Sequence, residues 1–312
     1  MNKNYIEQLQ AILTATGWPQ VKLAKELKIT FAALNRWLNK RAIPHPSSKA
    51  DIYQLYKELV GIQPLSRELI EKLTKELEQE KKKHKNIKEI IKDNKSLRED
   101  LLLELTYNSN AIEGSTLTKK ETETIIFDHG HISDKSYIEH LEATNHASAL
   151  TRIFDGEFIN RPISEKTIKK LHSILMQGIR DDVGKYSKHQ RAIRGVDLTL
   201  PHPEDIPFEM RRFIRQINKP GKGLSIIEHI SEMHASFEAI HPFGDGNGRV
   251  GRLIMTVQLL KAGYPPCLVE QNRKAKYYET LEFAQKKSSS HLIEFVVQGI
   301  LKGFAIIRKH KR

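Results

Sequence analysis

His241-Pro242-Phe243-Gly244-Asp245-Gly246-Asn247-Gly248-Arg249-Val250-Gly251-Arg252 is the stretch on which the reading of this chain turns. It sets a titratable base, a hard carboxylate, a glycine-rich turn and two arginines side by side. Gly246, Asn247 and Gly248 can take backbone angles that larger side chains resist, so successive N–H groups can converge into an anion-binding nest. A helix starting behind them would add the positive end of its dipole. Arg249 and Arg252 share one face of that first turn, and each guanidinium can fork onto phosphate oxygens. Asp245 offers hard oxygens suited to Mg2+ or Mn2+, and His241 a base that works near neutral pH. Phe243 supplies an apolar anchor for the base of the loop. Taken singly, each has an ordinary reading as structural histidine, turn or solvated arginine. Their conjunction points to a triphosphate and its metal.

Working outward, Ile226, Ile230, Met233, Phe237 and Ile240 fall at helical spacing before the loop. Leu253, Ile254, Val257, Leu259 and Leu260 continue after it as an apolar helix ending near Gly263. The segment therefore reads as helix, ligand-facing loop, helix.

The same residues match every specified position of HPFx(D/E)GNGRxxR, and the stretch resembles the signature of the Fic (Fido) family. The resemblance implies a mainly α fold, a helical core with a short β-hairpin flap. It implies transfer of a nucleoside monophosphate, usually AMP from ATP, to a Ser, Thr or Tyr hydroxyl of a target protein or of the enzyme itself. By the same resemblance His241 is the general base and Asp245 binds Mg2+. The glycine loop holds the α- and β-phosphates, and Arg252 reaches the γ-phosphate.

Upstream, a helical run from Leu97 to Tyr107 leads into Ser109-Asn110-Ala111-Ile112-Glu113-Gly114, where Gly114 should stop the helix. Ser109 and Glu113 are four apart and share a face. The string resembles the (S/T)xxxE(G/N) inhibitory motif of some Fic proteins, by which Glu113 pairs with Arg252 and keeps it from the γ-phosphate. In some relatives this glutamate also helps water attack the AMP–protein bond. The sequence leaves the direction, transfer or removal of AMP, open.

Ala192-Ile193-Arg194 and Val196 to Leu200, joined through Gly195, read as a short hairpin. It is similar to the Fic flap, which covers the nucleotide and captures a target by strand addition. Gly195, Val196, Asp197 and Leu198 are accordingly nucleotide-side candidates. Tyr277 and Tyr278, where relatives often carry a tyrosine pair, and Gln285 on the same helical face are candidates for the nucleoside. Core packing is an equal reading for each.

The chain has 312 residues, one cysteine (Cys267) and a formal net charge of +13. This length can bury a full core without disulfide or metal staples, and the lone thiol suggests a reducing, cytoplasmic setting. No signal peptide and no apolar run of membrane length is expected. The charge favours an anionic partner: nucleotide, nucleic acid or an acidic protein face. A homodimer is a further partner expectation.

Residues 1–60 read as a separate unit. Gln20 to Leu38 resembles the helix-turn-helix of Cro/C1-type repressors, with Thr30 capping a helix over Phe31 to Leu38. That resemblance implies DNA contacts from Thr30, Phe31, Asn35 and Arg36, although Phe31, Ala32 and Ala33 are poor base readers. A helical module for protein contacts is the alternative. Residues 61–98 carry dense mixed charge with a thin stripe of Leu69, Leu73, Leu77, Ile87, Ile90 and Ile91, and read as a mostly solvated helical linker. Residues 99–312 then form the Fic-like domain, with its inhibitory helix around 99–114 and its core about 163–302. The combined reading is an autoinhibited protein adenylyltransferase. Its rivals are an AMP-removing hydrolase at the same site and a DNA-binding regulator whose second half senses nucleotide.

Overall fold

A computed structural model describes residues 4–61, 63–191, 200–221 and 223–310. The chain divides into two compact units, Met1–Gln63 and Pro64–Arg312.

Unit 1 is four helices: α1 (Tyr5–Thr16), α2 (Gln20–Glu26), α3 (Phe31–Leu38) and α4 (Pro46–Leu59). Local chemistry sets their ends. Asn4 and Glu7 form a capping box on α1, which stops at Gly17 with φ 65. Pro19 precedes α2, and Thr30 accepts the Ala33 N–H at the start of α3. Leu9, Ile12, Leu23, Leu34 and Ile52 are fully buried between the helices. α2 and α3 cover most of the stretch Gln20–Leu38. Of the four DNA candidates, Thr30 is spent on its cap and Asn35 accepts from Asn39 Nδ2 at 3.1 Å. Phe31 and Arg36 are exposed.

Unit 2 opens with α5 (Arg67–Lys82), α6 (Ile87–Asp93), α7 (Lys95–Glu113), α8 (Lys119–Phe127), α9 (Tyr137–Phe154) and α10 (Glu165–Leu175). It continues with α11 (Ile206–Ile217), α12 (Ile226–Ile240), α13 (Asn247–Lys261), α14 (Lys274–Lys286) and α15 (Ser290–Lys309). Two single 3-10 turns, Pro203–Asp205 and Gln271–Arg273, precede α11 and α14. The antiparallel α12–α13 pair, joined by the glycine loop, is packed by α7, α10, α11, α14 and α15. Among the described residues there is no strand. The expected hairpin, with Gly195, Val196, Asp197 and Leu198, falls on positions 192–199 and lies outside the described residues. Its described flanks converge, with Arg191 Nη2 donating to the Pro201 carbonyl at 2.7 Å.

Two expectations are corrected. The charged stretch 61–98 is not a solvated linker: Ile70, Leu77, Ile87 and Ile91 are at most 3% exposed and belong to the main core. α5 lies along α15 and is tied down by Arg67 to Glu228, Glu78 to Tyr264 and Glu80 to Arg308. Only one face of α5 needs to be apolar, so the lysines and glutamates on the other faces conceal a core helix. The second correction concerns α15, which is long and apolar enough to cross a membrane by length and composition. That run is 61% buried within unit 2, where α15 packs against α5, α7, α12 and α14.

Candidate functional site

α12 ends on His241, which takes the left-handed conformation with φ 49 and ψ 58. A non-glycine residue held there is strained, and such strain collects at functional positions. The turn throws the imidazole back towards its own helix end. Nδ1 faces the Glu238 carbonyl at 3.3 Å, so the ring N–H belongs on Nδ1 and Nε2 keeps its lone pair. Burial pulls the His241 pKa below 6.5, which keeps the imidazole neutral and basic at neutral pH.

The loop is stapled from inside. Asn247 Oδ1 accepts the Phe243 N–H and its Nδ2 donates to the Phe243 carbonyl, both at 2.8 Å. Phe243 is fully buried and stacks on His172, with centroids 3.9 Å apart and planes 7° from parallel. His172 Nδ1 accepts the Gly184 N–H at 2.8 Å, leaving Nε2–H to donate to the Asp245 carbonyl at 3.2 Å. Only a neutral ring can do both, and burial drives its pKa down to about 4. Gly246, at φ 75, starts α13. A Cβ there would also press on Met176 Sδ, so glycine is required twice over.

Asp245 projects outward with its side chain 53% exposed. Its Oδ1 accepts the Gly246 N–H at 2.6 Å, and its Oδ2 is 3.7 Å from Arg249 Nη2. No cluster of three or more His, Cys, Asp or Glu side chains suited to a metal occurs among the described residues. The one exposed carboxylate beside the glycine turn, Asp245, is the kind of donor Mg2+ takes when it completes its shell with phosphates and water.

The two arginines face different partners. Arg249 is 2% exposed, and its Nη1 donates to Glu142 Oε1 on α9 at 2.6 Å. Arg252 is gripped by one face of α7. Its Nε donates to Ser109 Oγ at 3.0 Å, and its Nη2 to the Ser109 carbonyl at 3.0 Å and Glu113 Oε1 at 2.6 Å. α7 stops just beyond, at Gly114 with φ 113. Burial works against the Arg252 charge, the Glu113 carboxylate is the foremost group opposing it, and the guanidinium is held more firmly protonated than usual. A Cβ on Gly248 would collide with Glu113 Oε1, so the glycine that opens the nest also makes room for this carboxylate.

Beneath the loop, Tyr277 is 1% exposed and its hydroxyl meets His234 Nε2 at 2.6 Å. It has no face left for a nucleoside and is corrected to a core residue. Tyr278 is half-buried, its phenol pushed up to about 12 by burial and then by Glu113, so it stays on the site's side. Gln285 is half-buried, with Nε2 3.5 Å from the Ala235 carbonyl. Sequence reasoning missed Glu142, His172, Arg191 and Glu238. Arg191 Nη1 donates to the His241 carbonyl at 2.9 Å, pinning the strained turn. Glu238 stands one turn before His241, on a buried face of α12 that it shares with Ser231, His234 and Ala235.

Residues 162–259, spanning the loop and both its helices, match the Fic/DOC family. They form a Fic/DOC domain. The chain is 31% identical over 193 residues to the protein adenylyltransferase Fic of Drosophila persimilis, covering 61% of this chain and 37% of that protein. It is 32% identical over 201 residues to the same-named protein of Drosophila erecta, covering 61% and 38%. The chain thus spans under two-fifths of the length of these relatives. In fold it is similar to a Fic-domain-containing signalling protein from Bacteroides thetaiotaomicron, with TM-score 0.66 and 24% identity over 76% of this chain and 97% of that one. It is also similar to Fic-1 from C. elegans, with TM-score 0.67 and 20% identity over 99% and 88%.

Proposed function

We propose that unit 2 is a protein adenylyltransferase held in check by Glu113. The observation that carries this reading is that a neutral histidine, an exposed hard carboxylate and a carboxylate-closed arginine share one glycine turn. In this reading a Ser, Thr or Tyr hydroxyl on a target protein gives its proton to His241 Nε2. Its oxygen bonds to the α-phosphorus of ATP as the bond to the β-phosphate oxygen breaks and pyrophosphate leaves. Nδ1–H, held by the Glu238 carbonyl, keeps Nε2 aimed outward while it takes the proton. Asp245 would hold Mg2+, which supplies charge neutralisation on the phosphates. The dipole and N–H groups at the start of α13 add to it. Arg252 is the γ-phosphate ligand, and Glu113 occupies it in the resting protein. The target would dock on the side of the loop where Arg191 meets His241.

The test is intact-mass analysis after incubation with Mg2+ and each nucleoside triphosphate. Wild type should gain little mass, Glu113→Gly should gain AMP, and Glu113→Gly with His241→Ala should gain nothing. A Glu113→Gly protein left unmodified by every nucleotide would sink the proposal.

Hydrolytic removal of AMP by the same site is the second reading. It is favoured by the Glu113 side chain being 29% exposed, where water can reach it. Wild type, but not Glu113→Gly, would then strip AMP from a pre-modified protein. For unit 1 we propose DNA backbone contact, supported by Lys22, Lys25, Lys28, Arg36, Lys40 and Arg41 on and just after α2 and α3 against the single acid Glu26. A mobility shift of the whole chain on duplex DNA, lost steeply with salt, is the expected result. Salt-independent binding, or none, would reject it.

A further inference from the structure

We propose that Glu238 is a positioning residue for His241, an internal carboxyl that takes over the Nδ1–H hydrogen bond when the imidazole becomes charged. The proposal rests on His241 being the base.

Glu238 stands one helical turn before His241 on α12, and its Oε2 is 4.0 Å from His241 Nδ1. The residue is 6% exposed, and its Oε1 has no hydrogen-bond partner among the described residues. The present partner of Nδ1, the Glu238 carbonyl at 3.3 Å, lies at the long end of the hydrogen-bond range. A small rotation of either side chain brings the carboxyl oxygen to the same N–H. A charged imidazolium gains far more from that bond than a neutral ring does, because hydrogen bonds to ions are the strong ones. No proton need reach the glutamate. The hydroxyl proton rests on Nε2, and the carboxyl oxygen accepts from Nδ1.

A second observation is independent of the histidine. A Cβ on Gly251 would collide with Glu238 Oε1 and press on the ring of His234. Gly251 occupies an unspecified position of the HPFx(D/E)GNGRxxR pattern, so the nucleotide loop itself does not demand it. The carboxyl lies against α13 at that point, in the space that a side chain on Gly251 would take, with the rings of His234 and Phe237 beside it. Gly248 and Gly251 thus each make room for one acid, Glu113 on the outer side of Arg252 and Glu238 on the inner.

The groups that face Glu238 are Arg252 from α13, Tyr277 and Tyr278 from α14, Glu113 from α7, and His234 and His241 from its own helix. α11 and α15 contribute apolar rings to this region, Phe213 on Phe237 and Phe295 on Tyr277. Burial dominates this balance and lifts the carboxyl to about 8, against the pull of Arg252. The acid is therefore neutral at pH 7 and ionises just above, beside a base whose own pKa is depressed.

The experiment is a pH titration of the His241 ring nitrogens by 15N NMR on the nucleotide-free full chain, wild type against Glu238→Gln. Glutamine keeps the shape and the neutral state but cannot ionise. Wild type should move in two steps, one below 6.5 and one near 8, and Glu238→Gln should keep only the first. In a Glu113→Gly background, AMP transfer should rise roughly threefold or more above about pH 8, and Glu238→Gln should erase that rise. Should the glutamine variant not fold, Gly251→Ala, which drives the carboxyl from its place, is expected to abolish the same second step. Superimposable titrations of wild type and Glu238→Gln would reduce Glu238 to packing and overturn the proposal. A two-step titration without any AMP transfer would keep the Glu238–His241 pair and reject the transferase reading instead.

Discussion

Arg252 Nη2 lies 2.6 Å from Glu113 Oε1, joining α13 to the last turn of α7 across 139 positions of chain. Ser109, one turn earlier on the same face of α7, holds the guanidinium through two further bonds. The clamp uses the i,i+4 spacing of one helix, so it is formed as a unit whenever α7 docks. A phosphate that takes the place of Glu113 on Nη2 must displace the carboxylate, while Nη1 has no hydrogen-bond partner among the described residues.

Glu113→Gly should therefore trade resting stability for ligand response. The variant leaves a buried guanidinium with its Ser109 bonds but without its counter-charge, a loss of about 1–3 kcal/mol. Thermal unfolding should show a lower Tm for the nucleotide-free variant and a larger rise with Mg-ATP than in wild type. Equal rises in both proteins would mean that nucleotide and Glu113 do not compete.

Glu238 should have the opposite stability signature from an ordinary surface acid. Its folded pKa is raised from 4.5 to about 8, so its contribution is fully present below 4.5 and is lost as pH climbs through 8. At about 1.4 kcal/mol per pH unit, the loss at pH 7 is on the order of 3 kcal/mol. Glu238→Gln removes this term. It should raise Tm clearly at pH 8 and leave it nearly unchanged at pH 5. Equal shifts at both pH values would show that the carboxyl is not carried neutral.

Much of this architecture is legible locally. Thr30 caps a helix over Phe31–Leu38, Gly17 and Gly114 end helices in left-handed geometry, and the run from Ile226 to Ile240 is one helix. Caps and periodicity act over a few residues, so one sequence suffices to read them. The ring environment of Tyr277 was not legible, because an aromatic at helical spacing suits a core and a nucleoside pocket equally. Nor were the contacts that cross the chain, such as Glu142 to Arg249 over 107 positions.

The misread stretch 61–98 gives a direct test. Leu77 on α5 is fully buried in the main core of unit 2. Leu77→Ala should cost about 2–5 kcal/mol of unfolding free energy, as for other large-to-small core changes. A denaturant titration showing a change within about 0.5 kcal/mol, the range of a surface substitution, would restore the solvated-linker reading.

Glu142 offers the last prediction. Its 2.6 Å bond holds Arg249 while the same guanidinium stands 3.7 Å from Asp245 Oδ2. Arg249 is 3% exposed at its side chain and Glu142 17%, so the pair is largely shielded from water and salt. Without Glu142, Arg249 has only Asp245 as a carboxylate partner and should draw that oxygen inward, away from the position a metal needs. Glu142→Ala should therefore weaken Mg-ATP binding by roughly 10-fold, or about 1.4 kcal/mol, with little effect on kcat in the Glu113→Gly background. Isothermal titration with Mg-ATP, repeated with metal-free ATP, separates the two contributions. If binding weakens equally with and without metal, Glu142 acts on the phosphate arginine alone and not through Asp245.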